Sequence, residues 1–186
     1  MSDDLPDDGA LHYRACLDAV HSLSPATGLE FLGSDLNGNE EALALLLDGA
    51  PLKVFAHNVE TVARLTSNVR DRKASFNVSI RILEAAKTLR PDLLTKSSLM
   101  VGLGESDRDV TDTLKALRGV GVELLTIGQY LAPTPQHYPV LSFPTPGKFD
   151  EWKAEALDLG FRAVASGPLV RSSYKAGELY RSAIRQ

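Results

Sequence analysis

The sequence predicts an α/β fold built on a parallel sheet, wound flat or curled into a barrel. Three observations carry this. Short apolar runs alternate with segments of helical period along the whole chain of 186 residues. The runs are apolar throughout, as in strands covered on both faces. Each run then ends in polar residues, and in parallel sheets ligands gather at those C-terminal strand ends. The composition, 44% hydrophobic and 24% charged, is that of an ordinary globular chain, and this length buries about 70% of the surface exposed by the unfolded form.

Taken in order, residues 9–23 read as a helix with Leu11, Ala15 and Ala19 at four-residue spacing, stopped by the Pro25–Gly28 turn. LEFLGSD (29–35) reads as a strand. Asn39 is an N-cap before the first-turn acids Glu40 and Glu41, and the helix runs to Gly49. KVFAHN (53–58) is a second strand. Residues 76–89 form an amphipathic helix through Val78, Ile82, Ala85 and Leu89. Residues 93–102 are a third strand, followed by a turn and the Ser106/Asp109 capping box of a helix through Val110, Leu114 and Leu117. Residues 123–130 are a fourth strand. The loop 131–147 carries five of the ten prolines, and loops of this length are usually functional. Thr145 and Pro146 open a helix buried through Phe149, Trp152, Ala156 and Leu159. Residues 162–167 are a last strand before a polar tail, 168–186. Residues 1–186 read as a single domain.

Several function classes are excluded. No apolar run approaches the eighteen or so residues of a membrane span. The acidic opening MSDDLPDDGA is neither a signal nor a transit peptide, so the expected localisation is cytoplasmic. The one cysteine, Cys16, excludes disulfides and any multi-cysteine metal site within the chain. It falls inside a helix and reads as a small core residue. Residues 1–60 hold eleven acids and two bases, and the remainder thirteen acids and eighteen bases. Arg64, Arg70, Arg72 and Lys73 are only a loose cluster, so no nucleic-acid partner is expected. The polar strand ends collect Asp35, His57, Asn58, Glu60, Lys96, Ser97, Glu105, Gln129, Tyr130 and Ser166 into a ring. Loop residues are polar in any protein, so the ring by itself leaves an active site and plain surface equally open.

The segments DDLPDDGA, VFAHNVETVARL, TKSSLMVGLGES, LLTIGQYLAPTPQHYPV and GFRAVASGPLVRSSY, in this order and spacing, resemble the lipoyl synthases, a family of radical S-adenosylmethionine enzymes. The resemblance covers residues 3 to about 178. It implies a partial (β/α) barrel of radical-SAM type, incomplete at the N-terminus, so that an open sheet edge and an apolar flank are expected.

The resemblance also implies a reaction: sulfur insertion into an octanoyl chain held on a lipoyl carrier domain. It requires S-adenosylmethionine and two [4Fe–4S] clusters, one to cleave the cofactor and one consumed as sulfur source. The three-cysteine motif CxxxCxxC and the auxiliary cysteines are absent from this sequence. Ser173, the second serine of RSSY, matches the auxiliary-cluster ligand, a hard oxygen donor that suits a cluster meant to be dismantled.

By the same resemblance Asp7, Asp8 and Gly9 stand at the cofactor's methionine end, with Asp8 where the family has glycine. Asn58 and Glu60 match the groups near its amino acid and ribose, and Lys96, Ser97, Glu105 and Gln129 the rest of the cofactor ring. Other departures are Ala56 for Asn, Leu36–Asn37 for Phe-Arg, Ser98 for Gly and Lys175 for His. The expectation is a lipoyl synthase-like protein, inactive alone. The alternatives are a split-enzyme subunit completed by a cysteine-bearing partner chain, or a non-catalytic module that binds S-adenosylmethionine and the carrier.

Overall fold

In the computed structural model, Leu5 and residues 7–185 are described. The first four residues and Pro6 of the DDLPDDGA region lie outside the described residues. The chain forms α1 (Ala10–Leu23), β1 (Leu29–Leu32), α2 (Glu40–Leu47), β2 (Leu52–Ala56), α3 (Thr66–Val69), α4 (Phe76–Leu89), β3 (Leu94–Val101), α5 (Asp107–Gly119), β4 (Leu124–Gln129), α6 (Pro146–Asp158), β5 (Ala163–Gly167) and α7 (Ala176–Ile184). Short 3-10 turns at 36–38 and 63–65 precede α2 and α3.

All strands are parallel and lie in one sheet in the order β1-β2-β3-β4-β5. An order that follows the sequence, with crossover helices on one face, is the winding of a barrel arc. A doubly wound sheet would reverse direction midway. Pleat alternation sends Phe55, Leu99, Val101, Leu125, Ile127 and Val164 to the face that packs on α1, α2, α4, α5 and α6. Val54, Leu94, Leu124 and Ala163 point to the opposite face, where they meet Leu179 and Ala183 of α7.

Local chemistry explains the helix ends. Asn39 Oδ1 accepts from the Ala42 N–H to cap α2, and Ser106 with Asp109 closes a full capping box on α5. Thr145 caps α6 with Pro146 at its first position. The proline-rich segment from 131 to 145 holds no helix or strand.

Four expectations are corrected. Leu11, Ala15 and Ala19 face solvent, while Ala10 and Leu17 are buried and Tyr13 packs against Phe31 with tilted rings, 5.2 Å between centroids. Both faces of α1 are apolar, so periodicity alone picked the wrong one. Cys16 shares that outer face and is exposed, not a core residue. The tail is not merely polar: α7 is amphipathic, and its Leu179 and Ala183 close the second face of the sheet. The burial of α4 is also shifted, onto Ser79, Ile82, Leu83 and Ala86, leaving Leu89 exposed.

Candidate functional site at the C-terminal strand ends

The polar residues that end the strands converge at one end of the sheet, as parallel winding requires. At its β1 side the chain turns through Asp8 (φ 52) and Gly9 (φ 82) into α1. Asp7 accepts from the N–H groups of Leu11 (2.8 Å) and Gly9 (3.2 Å), and the Leu11 bond holds its carboxyl below the ordinary range. Asp8 is buried and accepts from Asn37 Nδ2 (2.7 Å) and Asn39 Nδ2 (3.0 Å). The segment that enters α1 is thereby tied to the loop that leaves β1.

After β2, His57 joins three elements. Its Nδ1–H donates to the Gly33 carbonyl (2.9 Å) and its Nε2 accepts from the Ser79 hydroxyl (2.8 Å). Ser79 in turn accepts from Arg70 (3.0 Å). The carbonyl can only accept, so it fixes a proton on Nδ1. Burial lowers its pKa, against the opposing pull of the Gly33 bond.

Asn58 and Glu60 are brought together, with Asn58 Nδ2 donating to Glu60 Oε1 at 3.1 Å. Glu60 sits at φ 63 and rejoins the sheet: its N–H donates to Ser98 O and its carbonyl accepts from Met100. Burial raises its carboxyl pKa, opposed by the Asn58 hydrogen bond and the Arg70 charge.

The next pair is separated by the pleat. Lys96 lies on the α7-side face and its Nζ pairs with Glu30 at 2.6 Å, almost fully buried. Ser97 points to the helix side, where its Oγ accepts from the Val59 N–H (3.2 Å). On the α7-side face Ser98 and Thr126 stand opposite one another across β3 and β4. The Thr126 hydroxyl is buried without a hydrogen-bond partner.

Glu105 folds back onto the turn after β3, accepting from Gly102 N (2.6 Å) and Leu103 N (2.9 Å). Gln129 reaches in two directions. Its side-chain amide donates to Ser142 O (3.2 Å) and its backbone carbonyl accepts from Arg171 Nη1 (3.4 Å), so it holds both the proline-rich loop and the segment carrying Ser173. Ser173 is exposed in that segment. Ser166, also in the ring, donates to the Phe149 carbonyl of α6.

Sequence reasoning did not single out Glu30, Arg70, Ser79 or Arg171. Glu30 left a signal: a carboxylate inside an apolar strand has to be paired. The others are joined to the site only by folding.

The residues present do not fit an iron–sulfur cluster. Among the described residues no group of three or more His, Cys, Asp or Glu side chains could hold a metal ion, and Cys16 lies on the outer face of α1. They fit S-adenosylmethionine better. A half-buried carboxylate at Glu60 and an orphaned hydroxyl at Thr126 offer partners for a cationic, hydroxyl-bearing ligand.

Comparison with known proteins accords with this architecture. The model of the radical SAM superfamily matches residues 2–117. The chain is 50% identical over 178 residues to "Lipoyl synthase, mitochondrial" of Aspergillus flavus, covering 96% of this chain and 43% of that protein. It is 49% identical to the protein of that name from Yarrowia lipolytica, covering 50% of it, and 47% identical to that of Komagataella phaffii, covering 42%. The chain thus spans about half the length of the curated relatives it matches. A family model over well more than half of the sequence, on a singly wound parallel sheet, places this chain in the radical SAM superfamily.

Proposed function

We propose that this chain is the S-adenosylmethionine-facing and carrier-facing part of a lipoyl synthase. It would serve sulfur insertion into octanoyl groups on a lipoyl carrier domain. The observation that carries the reading is the identity of about half of all residues, along 96% of the chain, to proteins named lipoyl synthase. S-adenosylmethionine, when bound, supplies the adenosyl group used for hydrogen abstraction.

The chain's own residues bind and orient. Asn58 and Glu60 are assigned to the cofactor's amino acid and ribose, and Asp7, Asp8 and Gly9 to its methionine end. Glu105 shapes the glycine turn with its two backbone hydrogen bonds, and Lys96, Ser97 and Gln129 brace the strand ends. Ser173 is assigned as the auxiliary-cluster ligand, with every cysteine ligand to come from elsewhere. The chain alone is therefore proposed to be inactive and to act with a cysteine-bearing partner chain. Among the described residues no helix is long and apolar enough to cross a membrane. The sequence reading puts the protein in the cytoplasm, whereas the relatives are named mitochondrial. Cell fractionation separates these compartments.

Calorimetry tests the cofactor reading. The isolated chain should bind S-adenosylmethionine weakly, and Glu60→Gln should weaken it at least fivefold, about 1 kcal/mol. Equal heats from the wild type and the variant would overturn the assignment of Glu60.

A further inference from the structure

We infer that Arg70 is a positioning residue for the Glu60 carboxylate. Tethered to Ser79 beside the turn that leaves β2, it sets a positive charge near Glu60 without pairing with it. This role rests on the reading above of Glu60 as a ligand of S-adenosylmethionine.

The turn of residues 57–60 is held by its backbone and by His57, not by its carboxylate. Glu60 sits at φ 63, a left-handed conformation that a residue with a Cβ keeps only where its surroundings enforce it. Its N–H donates to Ser98 O (3.1 Å) and its carbonyl accepts from the Met100 N–H (2.8 Å). The Val59 N–H is taken by Ser97, and His57 pins the start of the turn to Gly33 and Ser79. The carboxylate itself is left over. Among the described residues its one hydrogen-bond partner is the neutral amide of Asn58, at 3.1 Å.

A carboxylate half removed from water needs a nearby cation to stay ionised. Arg70, half-buried after α3, is in place to supply it. Its Nη1 donates to Ser79 Oγ at 3.0 Å, and the same oxygen lies 2.8 Å from His57 Nε2. One hydroxyl thus joins Arg70 to the first residue of the turn. No ion pair links Arg70 to Glu60, because each is held by a neutral partner, Ser79 or Asn58. An arginine closed directly on Glu60 would fill the carboxylate's lone pairs. One held back by a hydroxyl supplies charge and leaves them open to a cationic ligand.

The other charges nearby are already accounted for. Asp35, Asp71 and Lys73 share a cavity of about 280 Å³ with His57 and Arg70, and Asp35 acts on His57. On β3, Lys96 is committed to Glu30. Burial pushes the Glu60 carboxyl up, while the Asn58 bond and the Arg70 charge pull it back. Among the described residues Arg70 is the one cation whose charge bears on it.

Nuclear magnetic resonance of carbon-13 glutamate carboxyls tests this in the 186-residue chain without cofactor, with Glu60→Gln to assign the resonance. Arg70→Gln removes the charge and keeps an N–H donor for Ser79. The Glu60 midpoint should rise by about half a pH unit or more, roughly threefold in proton affinity. Arg70→Lys keeps both charge and donor and should leave the midpoint near the wild-type value. Ser79→Ala keeps the charge and cuts the tether, so the midpoint should move there too. Circular dichroism checks that each variant folds. Calorimetry then reads the consequence for S-adenosylmethionine. At the wild-type midpoint half of the Glu60 side chains are ionised, against about a quarter in Arg70→Gln. Affinity should therefore fall about twofold at that pH and recover by pH 8.

A midpoint left in place by Arg70→Gln would overturn the inference. Equal displacement by the glutamine and lysine variants would do the same, since it makes Arg70 a structural tether only. A midpoint unmoved by Ser79→Ala would remove the tether from the argument and overturn the positioning role. If the titrations move as stated but no variant, nor the wild type, gives heat with S-adenosylmethionine, the hold of Arg70 on Glu60 stands and the cofactor reading falls.

Discussion

The carbonyl oxygen of Val170 occupies the space that a Cβ on Gly128 would need. The backbone of the segment after β5 therefore rests directly on β4, and Arg171 fastens it by donating to the carbonyls of Val170 (2.7 Å) and Gln129 (3.4 Å). Ser173 lies three residues beyond the contact. Gly128→Ala should lift this segment at a cost of about 1–3 kcal/mol. Hydrogen exchange should show faster amides at 168–175, with β2 and β3 unchanged. A variant as stable as the wild type would mean that the segment is not seated there.

The Lys96–Glu30 pair makes a second prediction. Lys96 is buried to 1% exposure and its Nζ has Glu30 as partner. Glu30→Leu would leave a buried ammonium without its counter-charge, a loss of roughly 3–5 kcal/mol. Adding Lys96→Met should restore most of that stability. Denaturant melts of the three variants measure the coupling, and additive single effects would contradict it.

Glu60 gives stability a pH dependence of definite sign. Burial raises its folded pKa, so between the ordinary glutamate value and the raised one the native state holds more protons than the unfolded state. Stability contributed by this group is full below the ordinary value and falls as pH climbs through the raised one. Glu60→Gln should flatten the slope in that window. Melts across pH 4 to 8 would decide, and an identical slope in the variant would count against it.

His57 works in the opposite direction. Its folded pKa is lowered by burial, so stability is lost as pH falls from the ordinary histidine value through the lowered one. Ser79→Ala removes both the donor to Nε2 and the acceptor for Arg70. It should cost about 1–3 kcal/mol, and nuclear magnetic resonance of the ring should show an altered titration midpoint.

Cys16 should react at the rate of a free surface thiol in the folded chain, because it is exposed on α1. Cys16→Ala should change stability by no more than about 0.5 kcal/mol. Slow alkylation in the native monomer would put the residue back in a core.

Much of the strand end was legible in the residues. The runs of LEFL, KVFA and LLTIGQ are apolar and end in polar groups, which places β1, β2 and β4 and the side of the sheet where ligands gather. The capping signatures of α2, α5 and α6 were equally plain, because a cap is chemistry within four residues. The motif resemblance gave the superfamily. Proximity alone could not be read. Asn58 and Glu60 meet within two residues, but Asp8 meets Asn37 and Asn39 across about thirty, and Glu30 meets Lys96 across 66.

What the sequence determined by itself is therefore local: element type, helix caps, the order of strands and helices, and the absence of cysteine ligands. The tertiary structure decided which face of α1 is buried, that the tail folds into α7 beneath the sheet, that Lys96 and Ser97 part company across the pleat, and that β1 stands at an open edge. The physical reason is that period and propensity act over one or two turns. Burial is set by what lies on the other side of each element, and α1 and β1 are apolar on more sides than this chain covers.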